Sequence, residues 1–169
     1  GDVERALIHL EHASKLKPDD GEAWLLLGQA CRAQGLADKA LAAYRKAARL
    51  AANSGPAHAA IAQLLVEAGS FAEAITSAEA ALKASPNELS VLASVGQVFT
   101  QTGQVAGAVA ATLKVAQARP NDPAAHMALG RALVLEAEAQ PEGSEPAAAH
   151  AEKNRELLTR SLERAAALG

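Results

Sequence analysis

The feature that most constrains this chain is a recurrence every 34 residues. Segments beginning at Gly21, Gly55, Leu89 and Pro123 align without gaps, and their columns keep a fixed character. Trp24, His58, Leu92 and His126 form one column. Leu27, Ile61, Val95 and Leu129 form an aliphatic one, and Gly28, Ala62, Gly96 and Gly130 a small one. Cys31, Leu65, Phe99 and Leu133 form a fourth. Within each copy these positions are spaced by three and four, which places them on one face of a helix. Gly35, Gly69 and Gly103 then interrupt the pattern, as glycine does at helix C-termini. A second helical face follows at Ala40, Tyr44 and Ala47, at Ala74, Ala78 and Ala81, and at Ala108, Thr112 and Val115. Pro86 and Pro120 close two copies. A period of this length marks a stack of structural repeats rather than one closed globule.

Composition agrees. Ala supplies about a quarter of the 169 residues and aromatics only 2%, a balance that favours helices over strands. The small column lets the two helices of a copy approach closely at the Ala40 column. One cysteine excludes a disulfide scaffold. The net charge of −3 with no basic stripe argues against nucleic acid. No apolar run approaches the ~18 residues of a membrane span.

The columns, above all Trp24 to Gly28 and Ala40 to Tyr44, resemble the tetratricopeptide repeat family. The resemblance implies an all-α, right-handed superhelical solenoid of antiparallel helix pairs. It divides one domain, 1–169, into a partial repeat at 1–20, full repeats at 21–54, 55–88 and 89–122, and an extended final repeat at 123–169. Cys31 stands where the family usually carries an aromatic, Ala52 replaces a closing proline, and Ala78 and Thr112 are smaller than usual.

Both ends depart from the period. Residues 1–17 match a second helix alone, with Ala6, Leu10 and Ala13 in the Ala40, Tyr44 and Ala47 columns. That leaves a face to be covered by upstream residues or by a second copy, so a homodimer through the N-terminal open end is one expectation. The final repeat carries an insertion around 137–150, followed by a helical stretch from Ala147 to about Leu168. There Leu158, Leu162 and Ala165 resume the spacing.

No catalytic constellation emerges, and neither cofactor nor metal is expected. His58 and His126 occupy a packing column. His9 and His12 have a permissible metal spacing but lack a third ligand. Cys31 falls in an apolar column with nothing basic beside it in its repeat's core. Trp24 is expected to be enclosed between helices, and Asp19 with Glu22 fits the spacing of a helix cap.

What remains is a surface. In the family that these columns resemble, first helices line a concave face that receives a peptide or a partner helix. The residues placed there are Leu25, Gln29 and Arg32; Gln63, Val66 and Glu67; Gln97, Thr100 and Gln101; and Met127, Arg131, Val134 and Leu135. Gln29, Gln63, Gln97 and Arg131 form a ladder with one rung per repeat. A carboxamide both donates and accepts, so it suits a peptide backbone of any sequence. The function expected is a non-catalytic scaffold for protein or peptide. The alternative is a substrate-positioning or dimerising arm of a larger bacterial enzyme, such as a glycosyltransferase, sulfotransferase or hydroxylase.

Overall fold

A computed structural model of the chain describes residues 2–50 and 54–139, with 156, 159, 160, 163, 166 and 167 beyond them. Helices occupy the described chain in this order: α1 (Asp2–Leu16), α2 (Gly21–Ala33), α3 (Ala37–Leu50), α4 (Gly55–Glu67), α5 (Phe71–Ala84), α6 (Leu89–Gln101), α7 (Val105–Ala118) and α8 (Pro123–Ala139). No strand occurs among the described residues. The chain forms two compact units, Gly1–Pro86 and Asn87–Gly169. In the first, α2 packs on α3 and α4 on α5, while α1 packs on α2 and α3 on α4. In the second, α6 packs on α7, and α8 on both. Within each unit, connections of a few residues make sequential helices neighbours.

The glycines between paired helices do what the sequence requires of them. Gly35, Gly69 and Gly103 have φ of +71°, +76° and +74°, a region costly for any side chain. The left-handed turn brings the next amide back over the helix end. Leu36 N–H donates to the Cys31 carbonyl at 2.9 Å, Ser70 N–H to Leu65 at 2.8 Å and Gln104 N–H to Phe99 at 2.8 Å. These are the bonds of a Schellman termination.

Two first helices, α2 and α8, start on an aspartate cap, whereas Ser54 before α4 and Glu88 before α6 make no such bond. Asp20 Oδ1 accepts from the amides of Glu22 and Ala23 at 3.1 and 3.2 Å, and Asp122 Oδ1 from that of Ala124 at 2.9 Å. The cap of α2 is therefore Asp20, not Asp19: the carboxylate must stand directly before the first turn to reach its free amides.

The predicted columns form the core. Leu27, Ile61, Val95 and Leu129 are buried, as are Cys31, Leu65, Phe99 and Leu133. Ala40, Ala74 and Ala108 are fully buried as well. The small column has a steric cause: a Cβ on Gly28 would lie 2.5 Å from the Tyr44 ring, and one on Gly96 2.8 Å from Thr112 Cγ2. Two further close approaches lie outside that column. Gly107 meets the Phe99 ring, 2.6 Å from an added Cβ, and Gly55 meets Ser85.

The insertion at 137–150 and the replacement at Ala52 fall largely or wholly outside the described residues, as do Leu158, Leu162 and Ala165. The described residues between 156 and 167 are helical, and Arg160 donates to Glu156 one turn earlier at 2.6 Å.

Candidate functional site

In the second unit the first helices and the end of α7 enclose a groove of about 450 Å³. Its α6 wall is Ala93, Gln97, Thr100 and Gln101, the last three named above as inner-face residues. Its α8 wall is Ala124, Ala125, Ala128 and Arg131, and Thr112, Val115 and Arg119 of the α7 side close the back with Asp122. Gln97, Gln101 and Arg131 are exposed. Thr100 Oγ1 donates to the Gly96 carbonyl at 2.8 Å, so toward the groove its oxygen can only accept. Arg119 lies 3.7 Å from Asp122 Oδ2. Arg131 makes no ion pair among the described residues. The alanines of the two walls leave room for a backbone to come close, between carboxamides that donate and accept and a guanidinium that only donates.

The first unit treats the same positions differently. Arg32 of α2 reaches α4, donating to Gln63 Oε1 at 2.5 Å and to Glu67 Oε1 at 2.7 Å. Because a guanidinium has no acceptor, the atom facing it must be the amide oxygen. The Gln63 rung thus has its oxygen engaged within the protein and its NH₂ free to donate. Leu25 and Val66 are half-buried and Gln29 is exposed. Met127 and Val134, 50% and 42% exposed, and half-buried Leu135 stand on α8 away from the groove lining.

Two kinds of residue escaped sequence reasoning. The back wall of the groove comes from the end of a second helix, and its signal was the column of Val115, which was assigned only to packing. The Arg32 contacts join residues 31 and 35 positions apart. Near-multiples of the period could have flagged them.

The histidine and tryptophan column is structural. His126 Nε2 lies 3.0 Å from the Pro120 carbonyl, and Trp24 Nε1 donates to Pro18 O at 3.0 Å. Both reach six residues back to the turn that precedes their helix. A carbonyl only accepts, so Nε2 of His126 carries the proton, and Nδ1 is buried without a partner. Trp24 is not enclosed between helices: it is half-buried, with Lys46 Nζ 4.0 Å from its ring centroid. That position lies at the rim, where the indole reaches the turn while the Lys46 ammonium stands over its face.

Cys31 is buried, and desolvation pushes its thiol up, with a smaller opposing effect from Lys39. A thiol held protonated is a poor nucleophile. Among the described residues no three His, Cys, Asp or Glu side chains gather as metal ligands. No helix among them is long and apolar enough to cross a membrane.

The model of the tetratricopeptide repeat family matches residues 1–55 and 59–123. No curated protein sequence is significantly similar to the chain. Among solved structures, MamA is 19% identical, with a TM-score of 0.70 over 97% of this chain and 89% of that one. MamA from Desulfovibrio magneticus RS-1 is 21% identical, with a TM-score of 0.69 over 97% and 87%. YrrB, a TPR protein with an unusual peptide-binding site, is 19% identical, with a TM-score of 0.66 over 99% and 78%. At these identities the likeness is one of fold.

Proposed function

We propose that this chain, which belongs to the tetratricopeptide repeat family, is a non-catalytic scaffold that holds an extended peptide or a partner helix against the inner faces of its first helices. The observation that carries this reading is the α6–α8 groove, where two exposed carboxamides and a guanidinium with no ion pair among the described residues stand beside alanines of both walls. Its volume falls in the range of ordinary ligand sites, ~300–1,000 Å³. Gln97 and Gln101 pair with backbone N–H and C=O groups of the bound segment, and Arg131 takes a carbonyl or a carboxylate. The peptide-binding site of YrrB, on the same fold, supports a peptide as ligand.

In the first unit Leu25, Gln29, Val66 and the NH₂ of Gln63 offer a narrower surface, because Arg32 and Glu67 are joined to each other across it. Met127, Val134 and Leu135 supply apolar contacts to a ligand that runs past the α8 wall.

The test is selection of peptides from a random displayed library against the chain, followed by calorimetric titration of the selected peptides. Gln97→Ala with Gln101→Ala leaves the fold intact, since exposed Gln→Ala in a helix is near neutral. It weakens binding several-fold, at ~0.5–1.5 kcal/mol for each lost hydrogen bond. Equal affinity of the double variant and the parent chain for every selected peptide contradicts the proposal.

A further inference from the structure

The charged residues that line the α6–α8 groove are Arg119, Asp122 and Arg131. Two are cations and one is an acid, in a chain whose net charge is −3. Asp122 is committed to its own turn: Oδ1 accepts from the Ala124 amide at 2.9 Å, and Oδ2 lies 3.7 Å from Arg119. It stands nine residues before Arg131, about 13 Å along the helix axis, too far to pair with it. The next acids on α8 are Glu136 and Glu138, five and seven residues beyond Arg131. Neither is at the spacing of three or four that brings helix side chains together. Arg131 is exposed and makes neither ion pair nor side-chain hydrogen bond among the described residues.

The first unit shows what a guanidinium on an inner face of this protein takes. Arg32 of α2 meets positions 63 and 67 of α4, where it finds an amide oxygen and a carboxylate. The equivalent positions 68 residues on are Thr100 on α6 and Arg131 and Leu135 on α8. There the guanidinium sits on the opposite helix, and none of the three positions carries an acid. Gln97 and Gln101 bring amide oxygens to the same groove. The amide half of the Arg32 arrangement is thus present in the second unit, and the carboxylate half is not.

We propose that the ligand supplies that carboxylate: the groove selects a peptide segment with an Asp or Glu side chain over Arg131, inside the segment rather than at its end. The proposal rests on the groove being the peptide site. Its lining places the anion partway along. Gln97 is the repeat equivalent of Arg131, and the lining continues one turn beyond it to Gln101 and, in the other direction, back to Asp122 and Arg119. A chain that ended at Arg131 would leave one of these stretches without a ligand. An internal acidic residue lets the backbone run on both ways past the carboxamides. Hydrogen bonds from guanidinium to carboxylate are stronger than those between neutral groups, so this contact ranks peptides that the carboxamides alone would treat alike.

The experiment selects random peptides, displayed with fixed sequence on both sides, against the 169-residue chain. Selected sequences are remade with acetylated and amidated ends, labelled with fluorescein and titrated by anisotropy. They should share an Asp or Glu at one aligned position. Changing that residue to Asn or Gln should weaken binding to the parent chain at least about tenfold, and binding to the Arg131→Gln chain less than about twofold. Arg119→Gln should leave the preference for the acid in place. Raising the salt concentration should weaken binding to the parent more than to the Arg131→Gln chain. Arg131 is exposed and Gln is a comparable helix former, so circular dichroism melts of that variant should match the parent. Three results overturn the proposal and leave the groove as the peptide site: no shared acid among peptides that Gln97→Ala with Gln101→Ala weakens, an acid whose loss costs as much in the Arg131→Gln chain as in the parent, or binding only by peptides with a free C-terminus. Selected peptides indifferent to the Gln97, Gln101 and Arg131 substitutions alike, or no selected peptide at all, overturn the groove as the peptide site and this proposal with it.

Discussion

Single residues separate close approach from backbone strain. Gly96→Leu forces side-chain atoms into a space where even a Cβ would come within 2.8 Å of buried Thr112. Overpacking of this kind costs ~1–3 kcal/mol or more. Gly103→Ala meets nothing within 4 Å but must hold φ at +74°, a cost of ~1 kcal/mol. Thermal melts should place Gly96→Leu clearly below Gly103→Ala, and equal melting temperatures contradict the column. The Gly28 column was legible because it repeats. Gly107 aligns with Lys39 and Glu73, and Gly55 with Gly21, Leu89 and Pro123, so no small residue kept through the copies marks either close approach.

His58 gives the residue scale a pH dependence. Desolvation lowers its folded pKa below the ordinary value near 6.5, so the unfolded chain takes the proton more readily. Its contribution to stability is full above about pH 6.5 and is lost as pH falls through the lowered folded value. Melting temperatures measured from pH 7.5 to 5.5 (the range that brackets the imidazole titration) should fall less for His58→Leu than for the parent. Parallel curves refute the assignment.

At the scale of elements, helix ends carry the specificity. Asp20 satisfies two first-turn amides of α2, so Asp20→Ala should lower stability by about 1 kcal/mol. Asp19→Ala, at an exposed position, should stay within about 0.5 kcal/mol. Denaturant melts of the two variants decide between them, and the reverse order restores Asp19 as the cap. The sequence placed acids before α2 but not which one turns inward, because that depends on the backbone of a two-residue turn. The glycine terminations were legible for the opposite reason: only glycine holds a positive φ cheaply, so the residue type states the geometry. The bridge from Arg32 to Gln63 and Glu67 is worth little in stability, being partly exposed. It matters for recognition, since it fixes which end of the Gln63 amide is available.

For the whole molecule, the 34-residue period sets the helix count of each repeat, the buried columns and the family. It could not show how a groove closes. The α6 wall follows from the period alone, through Gln97, Thr100 and Gln101. Of the α8 wall only Arg131 follows from it, and the alanines and the back do not, because side chains lean toward the N-terminus of their helix. That lean helps bring Ala124, Ala125 and Ala128 to face α6, while Met127 and Val134 face elsewhere. The central claim is that a peptide sits between α6 and α8. Its most direct test is amide chemical-shift mapping of the isotopically labelled chain with a library-selected peptide. Saturable shifts clustered on Ala93, Gln97, Gln101, Ala128 and Arg131 are the predicted result. Shifts concentrated instead around exposed Leu36 and Phe71, with those five residues silent, would contradict it.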